Sequence, residues 1–160
     1  MRLTDKNRWR YEKKDATLDN IEIIRKREEW LKVVKKYIPQ TKLTYLELGC
    51  APGQYTAVLA QDTEWEISGI DYSDDSDVFL KTMSLIGKDA NLYAIDMFNE
   101  RIEKVFDIVI SVGLVEHFRG EMLEDVFKLH DFYVDNGGYL IIQIPNFTGF
   151  NYIWHYLFDR

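Results

Sequence analysis

Several of this chain's acids, one histidine and a glycine-rich turn stand where an apolar run ends, and these groups could do chemistry. The densest stretch is Leu43 to Tyr55, L-T-Y-L-E-L-G-C-A-P-G-Q-Y. Leu43, Tyr45, Leu46 and Leu48 read as a buried strand. Gly49-Cys50-Ala51-Pro52-Gly53 reads as a turn of small residues, and a helical pattern starts near Gln54. Glycines at a strand-to-helix turn let the backbone approach a ligand closely, and a helix N-terminus supplies unpaired N–H groups. That is nucleotide-binding geometry, although an ordinary connection with glycines has the same look. The G-x-A-x-G spacing is not the dinucleotide fingerprint, and no Lys-Ser/Thr follows as in a phosphate-binding loop.

Two more acids follow apolar runs. Asp71 comes about 20 residues after the turn, where a carboxylate can accept both hydroxyls of a ribose; a turn or helix-capping aspartate would look the same. Asp96 precedes Met97. An acid there can accept from an adenine amino group while its apolar neighbour packs on the ring, and a capping aspartate is again the plain alternative. His117, in G-L-V-E-H-F with Glu116 beside it, suits general-base work on a hydroxyl or amine. Its plain alternative is a polar residue that contacts the ligand or caps the next helix. His130 and His155 have no motif context and read as structural, and Cys50 reads as a small packing residue.

These groups need a scaffold, and the pattern supplies one. Strands are expected at Leu43–Leu48, Trp65–Ile70, Asn91–Ile95, Phe106–Ser111 and Tyr139–Ile144. Helices are expected near Gln54–Gln61, Asp77–Ile86 and Glu121–Tyr133, the last stopped at Asn136-Gly137-Gly138. The second of these is capped by the Ser/Asp-rich turn over 72–77 and stopped by Gly87. Short β-branched runs alternating with helices imply a parallel sheet covered on both faces, with ligands beyond the carboxyl ends of its strands. Before the sheet, Leu18, Ile21, Ile24, Trp30, Val33, Val34 and Tyr37 predict an amphipathic helix ended by Pro39. Residues 1–40 thus form a helical arm, packed on the domain or serving as a lid, with Trp9, Arg10 and Tyr11 as pocket-lining candidates.

The 160 residues suffice for one domain with a sizeable core. A formal net charge of −7 leaves no footprint for general nucleic-acid binding. The lone Cys50 rules out an internal disulfide and suits a reducing compartment. No apolar run approaches the ~20 residues that span a bilayer, and the polar N-terminus is not a signal peptide. A cytoplasmic protein without membrane contact is expected.

Taken jointly, L-E-L-G-C-A-P-G, G-I-D-Y-S, A-I-D-M-F, F-D-I-V-I-S-V-G-L-V-E-H-F and G-G-Y-L-I-I-Q-I-P-N resemble the class I S-adenosylmethionine (SAM) dependent methyltransferases over residues 41–146. The likeness is to the small-molecule, type 11/12 branch. It implies an α/β, doubly wound Rossmann-like sheet of order 3-2-1-4-5, with SAM as cofactor and S-adenosylhomocysteine as product. It also implies donor contacts from Glu47, Gly49, Cys50, Ala51 and Gly53 around the turn, from Asp71 and Tyr72 at the ribose, from Asp96 and Met97 at the adenine, and from Ser111 and Val112 near the methionine moiety. Methyl transfer depends mostly on positioning, so a base (His117, with Glu116) is required only when the acceptor must lose a proton.

Some relatives carry E-x-x-E-H at this point and bind a divalent metal. Here the run is Gly113-Leu114-Val115-Glu116-His117, so the first glutamate is missing and no metal is expected. The D/N-P-P-Y signature of amino-methylating DNA enzymes is also absent, which leaves a small-molecule acceptor and no nucleic acid. The alternative is a SAM-binding but inactive partner subunit or truncated methyltransferase. An NAD-dependent oxidoreductase is disfavoured by the G-x-A-x-G turn and by Asp96-Met97. Residues 147–160 crowd aromatic side chains into an expected tail helix, a core, pocket or partner surface. The family's last two strands are not in this sequence, so a homo-oligomer, a partner chain or the tail is expected to cover the edge of the fifth strand.

Overall fold

The apolar spacing that runs from Leu18 to Tyr37 is carried by two helices, α1 (Leu18–Arg27) and α2 (Glu29–Tyr37), where the sequence predicts one. Thr17 caps α1 by accepting the Asn20 amide at 3.2 Å, and Arg25, Lys26 and Arg27 fill its last turn, where cations favour the helix dipole. Glu28 breaks the run with φ −91° and ψ 89°, and its carboxylate accepts the Trp30 indole N–H at 3.1 Å. Ile38 is extended, as a residue before proline must be, and ends α2. Ile21 of α1 and Leu31 of α2 are buried in the core cluster that contains Ala57, Val58 and Ala60. The computed structural model describes residues 16–73 and 76–145. Trp9, Arg10, Tyr11, Asn146, His155 and the aromatic tail lie outside them.

The remaining elements are β1 (Thr44–Leu48), α3 (Gln54–Ala60), β2 (Glu66–Ile70), α4 (Val78–Leu85), β3 (Ala90–Tyr93), β4 (Phe106–Val112), α5 (Glu121–Tyr133) and β5 (Val134–Gln143). All strand pairs are parallel, in the order β3-β2-β1-β4-β5. The register sets Tyr93, Ile70, Leu48, Ser111 and Ile142 in one row across the sheet. The residues that follow this row leave the sheet at one edge.

Alternation along the strands divides the core. Tyr45, Ile67, Ile108 and Ile110 cluster with α1, α2, α3 and α4. Leu46, Leu48, Ile70 and Val109 cluster with Leu129 and Tyr133 of α5. Both faces are therefore buried, as a parallel sheet requires.

β5 differs from expectation. α5 ends at Tyr133 as predicted, but the chain pairs with β4 at once, Val134 opposite Phe106. The Asn136-Gly137-Gly138 stretch is an irregularity inside the strand, before Tyr139 pairs with Ile108. Gly137 has φ 85°, and a Cβ on Gly138 would lie 2.8 Å from the Asp107 carbonyl oxygen, so a helix stop and a bulge ask for the same residues here. Leu140 (46% exposed) and Ile144 (55% exposed) lie on or just beyond this edge strand. Among the described residues no helix is long and apolar enough to cross a membrane.

Candidate donor and acceptor site

The glycine turn is tied to β2 from two directions. The Gly49 and Cys50 amides donate to the Ile70 carbonyl at 2.8 and 3.1 Å, and the Ala51 amide donates to Asp71 Oδ2 at 3.0 Å. Asp71 Oδ1 accepts the Ser73 amide at 2.7 Å and the Ser73 hydroxyl at 2.6 Å. The predicted ribose acid therefore performs the turn work that was its plain alternative. Each carboxylate oxygen can accept more than one bond, so the two roles are compatible. Gly49 and Gly53 have φ 70° and 85°, and a Cβ on Gly53 would come within 2.7 Å of the Phe79 ring. Conformation and close packing both demand glycine there. Cys50 is buried and fills the space above Gly69, where a Cβ would overlap its Sγ.

Glu47 is the least expected group in its state. It is 3% exposed on the α3 face of β1, and its Oε2 accepts the Thr56 hydroxyl. Tyr45, buried on the same face, makes a 2.7 Å bond to that hydroxyl and stacks on Trp65 at 5.5 Å between centroids. Burial pushes the Glu47 carboxyl up to about 8; the Thr56 bond works the other way and the negative Asp71 adds to the rise. The Tyr55 phenol is also raised, by burial and by Glu28 and Glu47. Its ring meets Trp30 of α2 at 5.8 Å, which brings the helical arm beside the turn. Thr56, Tyr55, Glu28 and Trp30 escaped the sequence reasoning because no spacing links them to Glu47.

Asp96 is buried and shapes its own loop, Oδ1 accepting the Phe98 amide at 3.0 Å and Oδ2 the Asn99 side-chain amide at 2.7 Å. Met97 belongs to the core cluster on the α5 face. Ser111 is fully buried, and its hydroxyl is engaged with His130 Nε2 at 2.8 Å. His130 Nδ1 meets the Val126 carbonyl at 2.6 Å and must carry the proton, because a carbonyl only accepts. Burial lowers its pKa and keeps the ring neutral, so Ser111 donates to Nε2.

At the end of β4 Val112 is half-buried, and Gly113 just beyond it has φ 66°. Leu114 then reaches back to the turn: its Cδ1 would lie 3.0 Å from a Cβ on Gly49. Glu116 and His117 follow in a short 3-10 turn, Val115–His117, both half-buried. Glu116 Oε2 is buried without a hydrogen-bond partner among the described residues. Tyr72 is half-buried next to Asp71.

Glu47 near the end of β1, Asp71 after β2 and Asp96 in the loop after β3 make no ion pair among the described residues. Carboxylates without cations fit a ligand that presents ammonium, hydroxyl and amino groups, as SAM does. Among the described residues no cluster of three metal-ligating side chains occurs.

Comparison with known proteins agrees with this geometry. A family model described as a methyltransferase domain matches residues 46–142, more than half of the chain. Among solved structures, a SAM-dependent methyltransferase from Clostridium acetobutylicum is 21% identical, with a TM-score of 0.59 over 72% of this chain and 47% of that one. A protein from Pyrococcus horikoshii is 26% identical, with a TM-score of 0.62 over 73% of this chain and 56% of that one. The N-methyltransferase NodS from Bradyrhizobium japonicum, in complex with S-adenosylhomocysteine, is 17% identical, with a TM-score of 0.62 over 82% of this chain and 69% of that one. The chain spans about half the length of the first two. None of the curated proteins compared by sequence matches it. The chain therefore belongs to the class I SAM-dependent methyltransferases, as a methyltransferase domain of the type 11 family.

Proposed function

We propose that this domain holds SAM across the carboxyl ends of β1 to β4 and directs methyl transfer to a small-molecule acceptor. The observation that carries the reading is the convergence of Glu47, the Gly49–Gly53 turn, Asp71 and Asp96 on one sheet edge, with Asp71 bonded to Ala51 of the turn. When bound, SAM supplies an electrophilic methyl on a sulfonium. In this reading the turn backbone lies along the donor, Asp71 accepts from the ribose hydroxyls and Asp96 from the adenine amino group. The backbone at Ser111 and Val112 borders the methionine moiety, and Tyr72 and Met97 flank the nucleoside.

Glu116 and His117 stand on the acceptor side, linked to the turn by Leu114. The buried Oε2 of Glu116, without a partner among the described residues, suits an N–H or O–H of the acceptor, and His117 is the group to take a proton when one must leave. An N-methyltransferase among the similar structures makes amines the first acceptors to test. The exposed edge of β5, with Leu140 and Ile144, is read as a face covered by a second copy or another chain; a monomer in sedimentation would argue against both.

Calorimetric titration with S-adenosylhomocysteine tests the donor site. The parent should bind, and Asp71→Ala should weaken binding at least tenfold, since it removes a charged acceptor and the tie to Ala51. Absence of binding at millimolar ligand would reject the reading. Turnover on a panel of amines, hydroxyls and carboxylates then identifies the acceptor class.

A further inference from the structure

Among the described residues, Glu47 has one group that favours its charged form, the Thr56 hydroxyl, and no cation. Its neighbours in the sheet are Gly69, which has no side chain, and the apolar Ile110. From α3 it receives one hydroxyl, that of Thr56. Among the described residues, the titratable groups that face it are Tyr45 on its own strand, Tyr55 on α3, with Glu28 behind it, and Asp71 after β2; Cys50 of the turn interacts with Tyr45. None is a cation, and two are further carboxylates. A carboxyl buried in such a place keeps its proton rather than hold an unpaired charge. The Thr56 hydrogen occupies Oε2, which leaves Oε1 for that proton.

We propose that Glu47 is a proton-linked counter-ion for the donor: it is a neutral acid in the ligand-free domain and ionises when a cationic ligand group settles beside the turn. The inference rests on the donor-site reading above. In the exchange the O–H bond of Glu47 breaks, its electron pair stays on the carboxylate, the proton passes to solvent, and the ligand's ammonium becomes the missing partner. Net charge in the site is unchanged, so no isolated charge is buried at any stage. Neutral pH lies below the raised value of about 8, so the proton is present to be released.

The test is calorimetric titration of the parent with S-adenosylhomocysteine, which carries the ammonium, at pH 7 in phosphate and in Tris, buffers with small and large ionisation enthalpies. The expected result is release of about nine-tenths of a proton per ligand, and an affinity that rises about tenfold per pH unit from pH 6 to 7 and levels off above 8. Glu47→Gln, which lacks the counter-ion, should bind more weakly and without releasing a proton. Binding by the parent with no proton release overturns the inference and leaves the donor site standing. Release that persists in Glu47→Gln overturns it too, by placing the proton elsewhere. No binding by the parent overturns the donor site and the inference together. If the Gln variant does not fold, or binds too weakly for its proton release to be read, the infrared carbonyl band of a protonated carboxyl in the parent serves instead. It should vanish on ligand addition, and a band that is absent beforehand or survives the ligand overturns the inference.

Discussion

A protonated, buried Glu47 should show itself in the stability of the ligand-free domain. The folded value lies above the unfolded one, so the group costs nothing below pH 4.5. The cost then grows as pH rises, because the unfolded chain gives up this proton while the folded chain keeps it. It levels off above about 8, where both forms are ionised. At ~1.4 kcal/mol per pH unit, the window from 4.5 to about 8 amounts to ~5 kcal/mol. That is comparable with the whole stability of many domains, about 5–15 kcal/mol. Glu47→Gln keeps the shape and leaves Thr56 an acceptor, yet cannot ionise. Urea unfolding of both proteins at pH 5, 6, 7 and 8 isolates the effect, because every other titrating group is shared. The parent should lose several kcal/mol relative to the variant across this range, with a limiting slope of ~1.4 kcal/mol per pH unit. A difference that stays level from pH 5 to 8 would show that Glu47 is ionised throughout and that the reasoning about its burial is wrong.

Thr56→Val retains the volume but strips Glu47 Oε2 and the Tyr45 hydroxyl of their shared partner. Leaving two buried polar atoms unpaired should cost ~2–5 kcal/mol, read as a lower urea midpoint at unchanged slope; a midpoint like the parent's would mean that the network adds nothing. Gly69→Ala should be destabilising by ~1–3 kcal/mol through overpacking, because its Cβ would lie 2.7 Å from Cys50 Cβ and 3.0 Å from the Phe79 ring and would overlap Cys50 Sγ. Adding Cys50→Ala should restore part of the loss, and no restoration would point to a different contact.

Much of this protein was determined locally and could be read from the chain alone. Short apolar runs closed by Gly49, Asp71 and Asp96 define parallel strands and the edge where they deliver their polar ends, because strand period and turn chemistry are near-neighbour properties. Other features were decided only by tertiary packing. The charged run over residues 25–29 fits the polar face of one continuous helix as well as a break, so the division into α1 and α2 depends on how Ile21 and Leu31 seat in the core cluster with Ala57 and Ala60. Asn136-Gly137-Gly138 suits a helix stop and a bulge equally, and pairing with β4 selects the bulge. Alternation places Tyr45 and Glu47 on one face, but which residue of α3 meets them depends on the packing angle of that helix. His130 and Ser111, on different elements, find each other for the same reason. Sequence determines which groups reach the edge; the fold decides which of them are shut away from water, and so which carboxyl there keeps its proton.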